Sequence, residues 1–129
     1  MIKIVRVVNA MLSHRDKITD VKESTSEAGS VYFFLYNGKY KWSISRTAGE
    51  GSYFLHFYPG PESLELLASC DVDEWAEHDP ASVFYSTRSL KSKEANESFA
   101  ELFKVIREKL YNVEEILDEI LKSADDVSF

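Results

Sequence analysis

The sequence predicts an α+β domain, an antiparallel sheet of five or six strands flanked by an N-terminal helix and two C-terminal helices. Three observations predict it. Apolar side chains recur at helical spacing near both ends of the chain, within residues 1–13 and from Ala95 to Leu121. Between these segments, aromatic-rich runs at 31–36, 39–45 and 52–58 are separated by Asn, Gly and Pro, the residues that turn a chain between strands. The length, 129 residues, suits one domain over 1–129 and leaves no room for two ordinary ones.

The first segment has Met1, Ile4, Val5, Val8, Met11 and Leu12 on one side and Lys3, Arg6, Asn9 and Ser13 on the other. Its β-branched content favours a strand, but period outranks propensity, so a helix is expected. Residues 18–25 follow as a weak strand anchored only by Ile18 and Val21.

Asn37-Gly38 supplies the two positive φ angles of a type I′ turn, whose twist suits a β-hairpin. A two-residue loop places Tyr36 opposite Lys39, Leu35 opposite Tyr40, Phe33 opposite Trp42 and Val31 opposite Ile44. Val31, Phe33, Leu35, Tyr40, Trp42 and Ile44 then form the core face. Tyr32, Phe34 and Tyr36 share the other face with Lys39, Lys41 and Ser43, with the lysines packing on Tyr36 and Phe34 as cations on rings. Gly49-Glu50-Gly51 leads to a third strand over 52–58, stopped by Pro59-Gly60-Pro61. That strand is apolar or aromatic on both faces, which implies a sheet covered at least partly on both sides.

Residues 61–69 fit either a helix begun by Pro61, with Leu64, Leu67 and Ala68 turned inward, or a short buried strand. Cys70 to Pro80 reads as an acidic loop holding Trp75, and Val83 to Ser86 as a strand. Ser92 is the expected N-cap of a helix whose stripe is Ala95, Phe99, Leu102, Phe103, Ile106 and Leu110. Asn112, with Glu115 three residues on, opens a second helix whose apolar side is Val113, Ile116, Leu117, Ile120 and Leu121. An acidic tail is expected to fray from about Ser123.

Composition narrows the function classes. Fifteen Lys plus Arg against 22 Asp plus Glu give a net charge of −7, which repels phosphate backbones and argues against nucleic-acid binding. A stacking platform for single strands made of Lys39, Lys41 and the neighbouring rings is disfavoured on the same ground. Cys70 is the single cysteine, so no intrachain disulfide forms, and the three His residues show no metal-ligand spacing. The cluster Asp71, Asp73, Glu74 and Glu77 lacks the frame of a calcium loop. No metal or cofactor is expected. The apolar N-terminus carries Lys3 and Arg6 and no cleavage pattern, and no run is long enough to span a membrane, so the expected address is cytoplasmic.

The chain has no phosphate loop and no nucleophile elbow. His56 is the one candidate catalytic residue. Among Phe54, Tyr58 and the Tyr32 row it fits either an acid or base near neutral pH or a hydrogen-bonded structural histidine. Surplus aromatics, 13% of the chain, and the acidic last helix suit a non-catalytic protein-binding module: an adaptor, a chaperone-like protein or a neutralising protein. Its expected contact residues are Tyr32, Phe34, Tyr36, Lys39, Lys41 and His56, and its expected partner another protein or a second copy. The alternative is a small-molecule-binding protein or minor enzyme with a pocket around His56.

Overall fold

The computed structural model describes residues 2–26, 29–47, 51–69 and 80–127. Helix α1 (Lys3–Ser13) buries Ile4, Val5, Val8 and Met11, so the helical period prevails over the β-branched letters. A single 3₁₀ turn, Arg15–Lys17, delivers the chain to strand β1 (Ile18–Ser26). Strands β2 (Gly29–Tyr36), β3 (Tyr40–Arg46), β4 (Tyr53–Tyr58) and β5 (Val83–Ser86) complete one antiparallel sheet in the order β1-β2-β3-β4-β5. Between Thr19 and Lys22 the β1 register shifts at a bulge, with Asp20 at φ 56°.

The hairpin forms at Asn37-Gly38, but its register differs from the one expected. Asn37 and Gly38 have φ of 58° and 71°, and the Lys39 N–H donates to the Tyr36 carbonyl at 3.4 Å, as a type I′ turn requires. Lys39 then stands outside the ladder, and Tyr36 faces Tyr40, Leu35 faces Lys41, Phe34 faces Trp42, Phe33 faces Ser43 and Tyr32 faces Ile44. One extra residue turns all of β3 over relative to β2. The reason is burial. With a two-residue loop, Lys41 and Ser43 would flank Phe34 and Tyr32 on the face that the helices cover. The longer loop puts Trp42 and Ile44 there instead.

Tyr32, Phe34 and Ile44 therefore join Ile18 and Leu55 in the main core, against α1 and the long helix α4 (Lys93–Leu110). Phe33 belongs to a smaller core on the opposite face, with Tyr58, Leu64 and Leu67. The cover there is helix α2 (Leu64–Ser69). Residues 64–69 are thus a helix, started by the Ser63 hydroxyl, which accepts the Leu66 N–H, rather than by Pro61. Buried Ser43 shares a 2.8 Å hydrogen bond with the Tyr58 hydroxyl, so these two hydroxyls satisfy each other beneath α2.

A short helix α3 (Thr87–Leu90), absent from the sequence reading, starts at Ser86, whose hydroxyl accepts the Arg88 N–H. Lys91, at φ 47°, ends it. Ser92 caps α4 as expected, accepting the Ala95 N–H at 3.2 Å. Ala95, Phe99, Leu102, Val105 and Ile106 are the fully buried stripe of α4, whereas Phe103 and Leu110 are half-buried. The Ser98 hydroxyl donates to the Asn9 side-chain carbonyl at 2.7 Å and ties α4 to α1. Asn112 takes φ 54°, the left-handed residue that closes one helix, and helix α5 (Val113–Val127) starts after it. The expected tail from Ser123 is helical as far as Val127. The acidic loop with Cys70, Trp75 and His78 lies outside the described residues.

Candidate functional site

Helix α5 has its apolar residues at 113, 116, 117, 120 and 121, the spacing of a face meant for burial. It is not buried. Ile116 is 47% exposed, Leu117 48%, Ile120 60% and Leu121 65%, and Tyr111 at the root of the helix is 50% exposed. Neighbouring apolar side chains left open in this number form an apolar surface patch, whereas one exposed leucine would mean nothing. On a helix turning 100° per residue, Glu114 and Glu119 border the stripe on its two sides, and both are exposed.

Where α5 leaves α4, a recess of about 330 Å³ opens, lined by Tyr53, Ala100, Phe103, Tyr111 and Val113 with Arg46, Lys104 and Arg107. The rings are ordered by one another: Phe103 meets Tyr32 edge-on at 5.4 Å and Tyr53 at 5.4 Å. The guanidiniums lie over these rings, Arg46 at 5.9 Å from Tyr53 and Arg107 at 5.7 Å from Phe103. Neither arginine has a carboxylate partner among the described residues. Exposed Lys104 reaches only half-buried Glu108, at 4.0 Å, a contact of little energy. The recess is a basic spot on a chain of net charge −7.

A larger cleft of about 750 Å³ lies on the other side of α5's root, against the β1 bulge. Ile18, Val21, Val105 and Leu110 line it together with both signs of charge: Arg15, Lys109, Asp20, Glu108, Glu114 and Glu115.

The expected contact residues are scattered by the observed register. Tyr32 and Phe34 are fully buried under the helices, so the row expected to face away from the core is part of it. Burial, together with a hydrogen bond to Glu23, raises the Tyr32 hydroxyl above its ordinary value. Tyr36 is half-buried beside the same core. The lysines do not pack on Tyr36 and Phe34. Lys39 lies 4.8 Å over its own neighbour Tyr40, and the Lys41 ammonium donates to the carbonyls of Gly60 and Glu62, clamping the turn before α2.

His56 is on the α2 side of the sheet, opposite Ser43 and Phe84. Its ring stacks on Tyr58 at 6.1 Å and on Phe84 at 5.5 Å. Burial pushes its pKa down, so the imidazole is neutral at pH 7. Its Nδ1 is buried without a hydrogen-bond partner among the described residues, as are Trp42 Nε1 and Glu62 Oε2. Trp42 points to the opposite face from His56, so their polar atoms do not converge. Burial also lifts the Tyr58 phenol to about 12, which keeps it protonated at neutral pH. Neither cleft is lined by His56.

Among the described residues no three His, Cys, Asp or Glu gather as a metal ion needs. Likewise, no helix there is long and apolar enough to cross a membrane. No protein-family model, curated protein or solved structure matches the chain.

Sequence reasoning identified α5's apolar side but gave it no role, because spacing marks a face that wants cover without saying whether the chain supplies it. The recess was missed. Its cations come from β3 and from α4, segments more than fifty residues apart that no local pattern links.

Proposed function

We propose that this chain is a non-catalytic protein-binding module of the cytoplasm whose contact surface is the open face of α5. One observation carries the reading: Ile116, Leu117, Ile120 and Leu121 stand exposed on one side of one helix. The net charge of −7 argues for a protein partner over nucleic acid. An adaptor, a chaperone-like protein and a neutralising protein all work through such a face. The test is a paired substitution, Ile120→Asp with Leu121→Asp, compared with His56→Ala. The helix variant should keep the thermal melt of the parent and lose all association seen by native mass measurement, whether with itself or with a co-purifying protein. His56→Ala should keep that association. Association that survives in the helix variant would move the contact surface elsewhere.

A second reading, a small-molecule site at His56, draws on the unpartnered Nδ1 beside Phe84, which is 59% exposed. It requires a ligand-dependent shift of the His56 ring resonances that leaves α5 undisturbed.

A further inference from the structure

We propose that the basic recess at the root of α5 binds an aryl phosphate, an aromatic ring carrying a phosphate monoester, in a site separate from the open face of α5. The recess joins an aromatic floor to a cationic rim. Tyr53, Phe103 and Tyr111 supply the rings. Arg46, Lys104 and Arg107 supply the charge, against the single carboxylate Glu108. Arg46 faces Tyr53 across the β3–β4 ladder and lies over that ring, while Arg107 lies over Phe103, one turn earlier on α4. Stacking therefore holds both planar guanidiniums in place before a ligand arrives. Forks held in this way suit the oxygens of a phosphate, which two arginines take together. Three cations against one carboxylate leave two positive charges, the complement of a phosphate monoester at about −1.5 to −2 near neutral pH. Tyr111 is 50% exposed and presents open ring surface to an aromatic body. About 330 Å³ is at the small end of ligand sites, which suits a molecule of one ring.

The chain leaves these charges unanswered. Among the described residues no carboxylate comes within ion-pair distance of Arg46 or Arg107. Glu23 is engaged with the Tyr32 hydroxyl. The first acidic residues of α5, Glu114 and Glu115, line the other cleft. Lys104 and Arg107, three residues apart on α4, are neighbours of like charge, an arrangement that weakens a helix unless an anion stands between them. A nucleic-acid backbone would meet the whole chain's charge of −7, whereas one phosphate meets only the recess. A lone carboxylate would answer only one of the two surplus charges.

Calorimetric titration with phenyl phosphate, together with the NMR shifts of the Arg46 and Arg107 side-chain N–H groups, tests the proposal. Phenyl phosphate should saturate one site per chain, shift both arginines and bind more weakly as salt is added. Arg46→Gln and Arg107→Gln should each weaken binding by at least about tenfold with the thermal melt unchanged. His56→Ala should leave it as it is. Inorganic phosphate and phenol, the two halves of the probe, should each bind at least about tenfold more weakly than the whole. A short peptide containing phosphotyrosine separates two sources of the same chemistry. Binding at least about tenfold tighter than phenyl phosphate assigns the ring to a partner's side chain, and equal or weaker binding assigns it to a free aryl phosphate. A titration that never saturates overturns the proposal. So do arginine variants that bind as the parent does, and so does inorganic phosphate, phenol or benzoate binding as tightly as phenyl phosphate. None of these outcomes touches the association assay on Ile120→Asp with Leu121→Asp, so the two readings fail separately.

Discussion

Replacing Phe34 by Ala tests whether the Tyr32-Phe34-Tyr36 row is core. Phe34 is completely buried between β3 and the helices α1 and α4, in the cluster with Val8, Ile44 and Phe99. Removing a ring from such a site forfeits its transfer energy and leaves a void that rigid neighbours on three elements fill only in part, a loss of about 3–5 kcal/mol. Set against the roughly 5–15 kcal/mol of total stability usual for a domain, that is a large fraction. At about 2.1 cal/mol/K of unfolding entropy per residue, 129 residues give about 0.27 kcal/mol/K, so the melting temperature should fall by about 11–18 °C. Urea unfolding followed by far-ultraviolet circular dichroism measures the loss directly, and an unchanged m-value shows that the folded state is otherwise intact. The matched control is Ile120→Ala on the open stripe, 60% exposed, which should change stability by less than about 0.5 kcal/mol. A loss below about 1 kcal/mol for Phe34→Ala would refute both the buried row and the burial argument for the slipped register.

Gly38→Val should cost about 1–2 kcal/mol by urea unfolding. Its φ of 71° resists a β-branched side chain, while the new Cβ meets nothing within 4 Å, so the cost is conformational rather than steric. Ser92→Ala should cost about 1 kcal/mol through loss of the bond from the Ala95 N–H, and Ser92→Asp should recover most of it. Burial holds the folded His56 below the ordinary 6.5, so the unfolded chain takes up a proton that the folded chain refuses. Its contribution is fully present above pH 6.5 and is lost as pH falls from there toward the folded value. Melts between pH 7.5 and 5 should therefore steepen in the parent relative to His56→Gln; parallel profiles would show that the imidazole is not desolvated.

Helices α1, α4 and α5 were legible because each is long enough to show one apolar stripe, whereas α2, of six residues, fitted a strand as well and α3, of four, shows no period at all. Hairpin position was legible for a similar reason, since Asn37-Gly38 is costly anywhere but a turn. Register was not. Val31 to Tyr36 is apolar on both faces, so β2 contains no parity signal, and a shift of one residue costs nothing that the strand itself can report. The decision lies in β3, where Lys41 and Ser43 must avoid the face that α1 and α4 cover, and that face is a property of the whole fold. The α2 start failed on a smaller scale. Pro61 and Ser63 both suit a helix N-terminus, and the Lys41 clamp on the Gly60 and Glu62 carbonyls holds the chain in a turn until Ser63. The candidate site was half legible: Val113 to Leu121 announces an apolar face, whereas its exposure depends on where Asn112 aims the last helix.

The bulge in β1 bears on how copies of this chain meet. β1 is the outer strand of the sheet, and a straight outer strand offers an unbroken row of N–H and C=O groups to which any extended segment can add. Asp20, turned to a left-handed backbone between Thr19 and Lys22, breaks that row near its start, and Lys22 and Glu23 follow with charges on both faces. The opposite margin, β5, is only four residues long. Open-ended stacking of sheets, the route to fibres, is therefore discouraged at both margins.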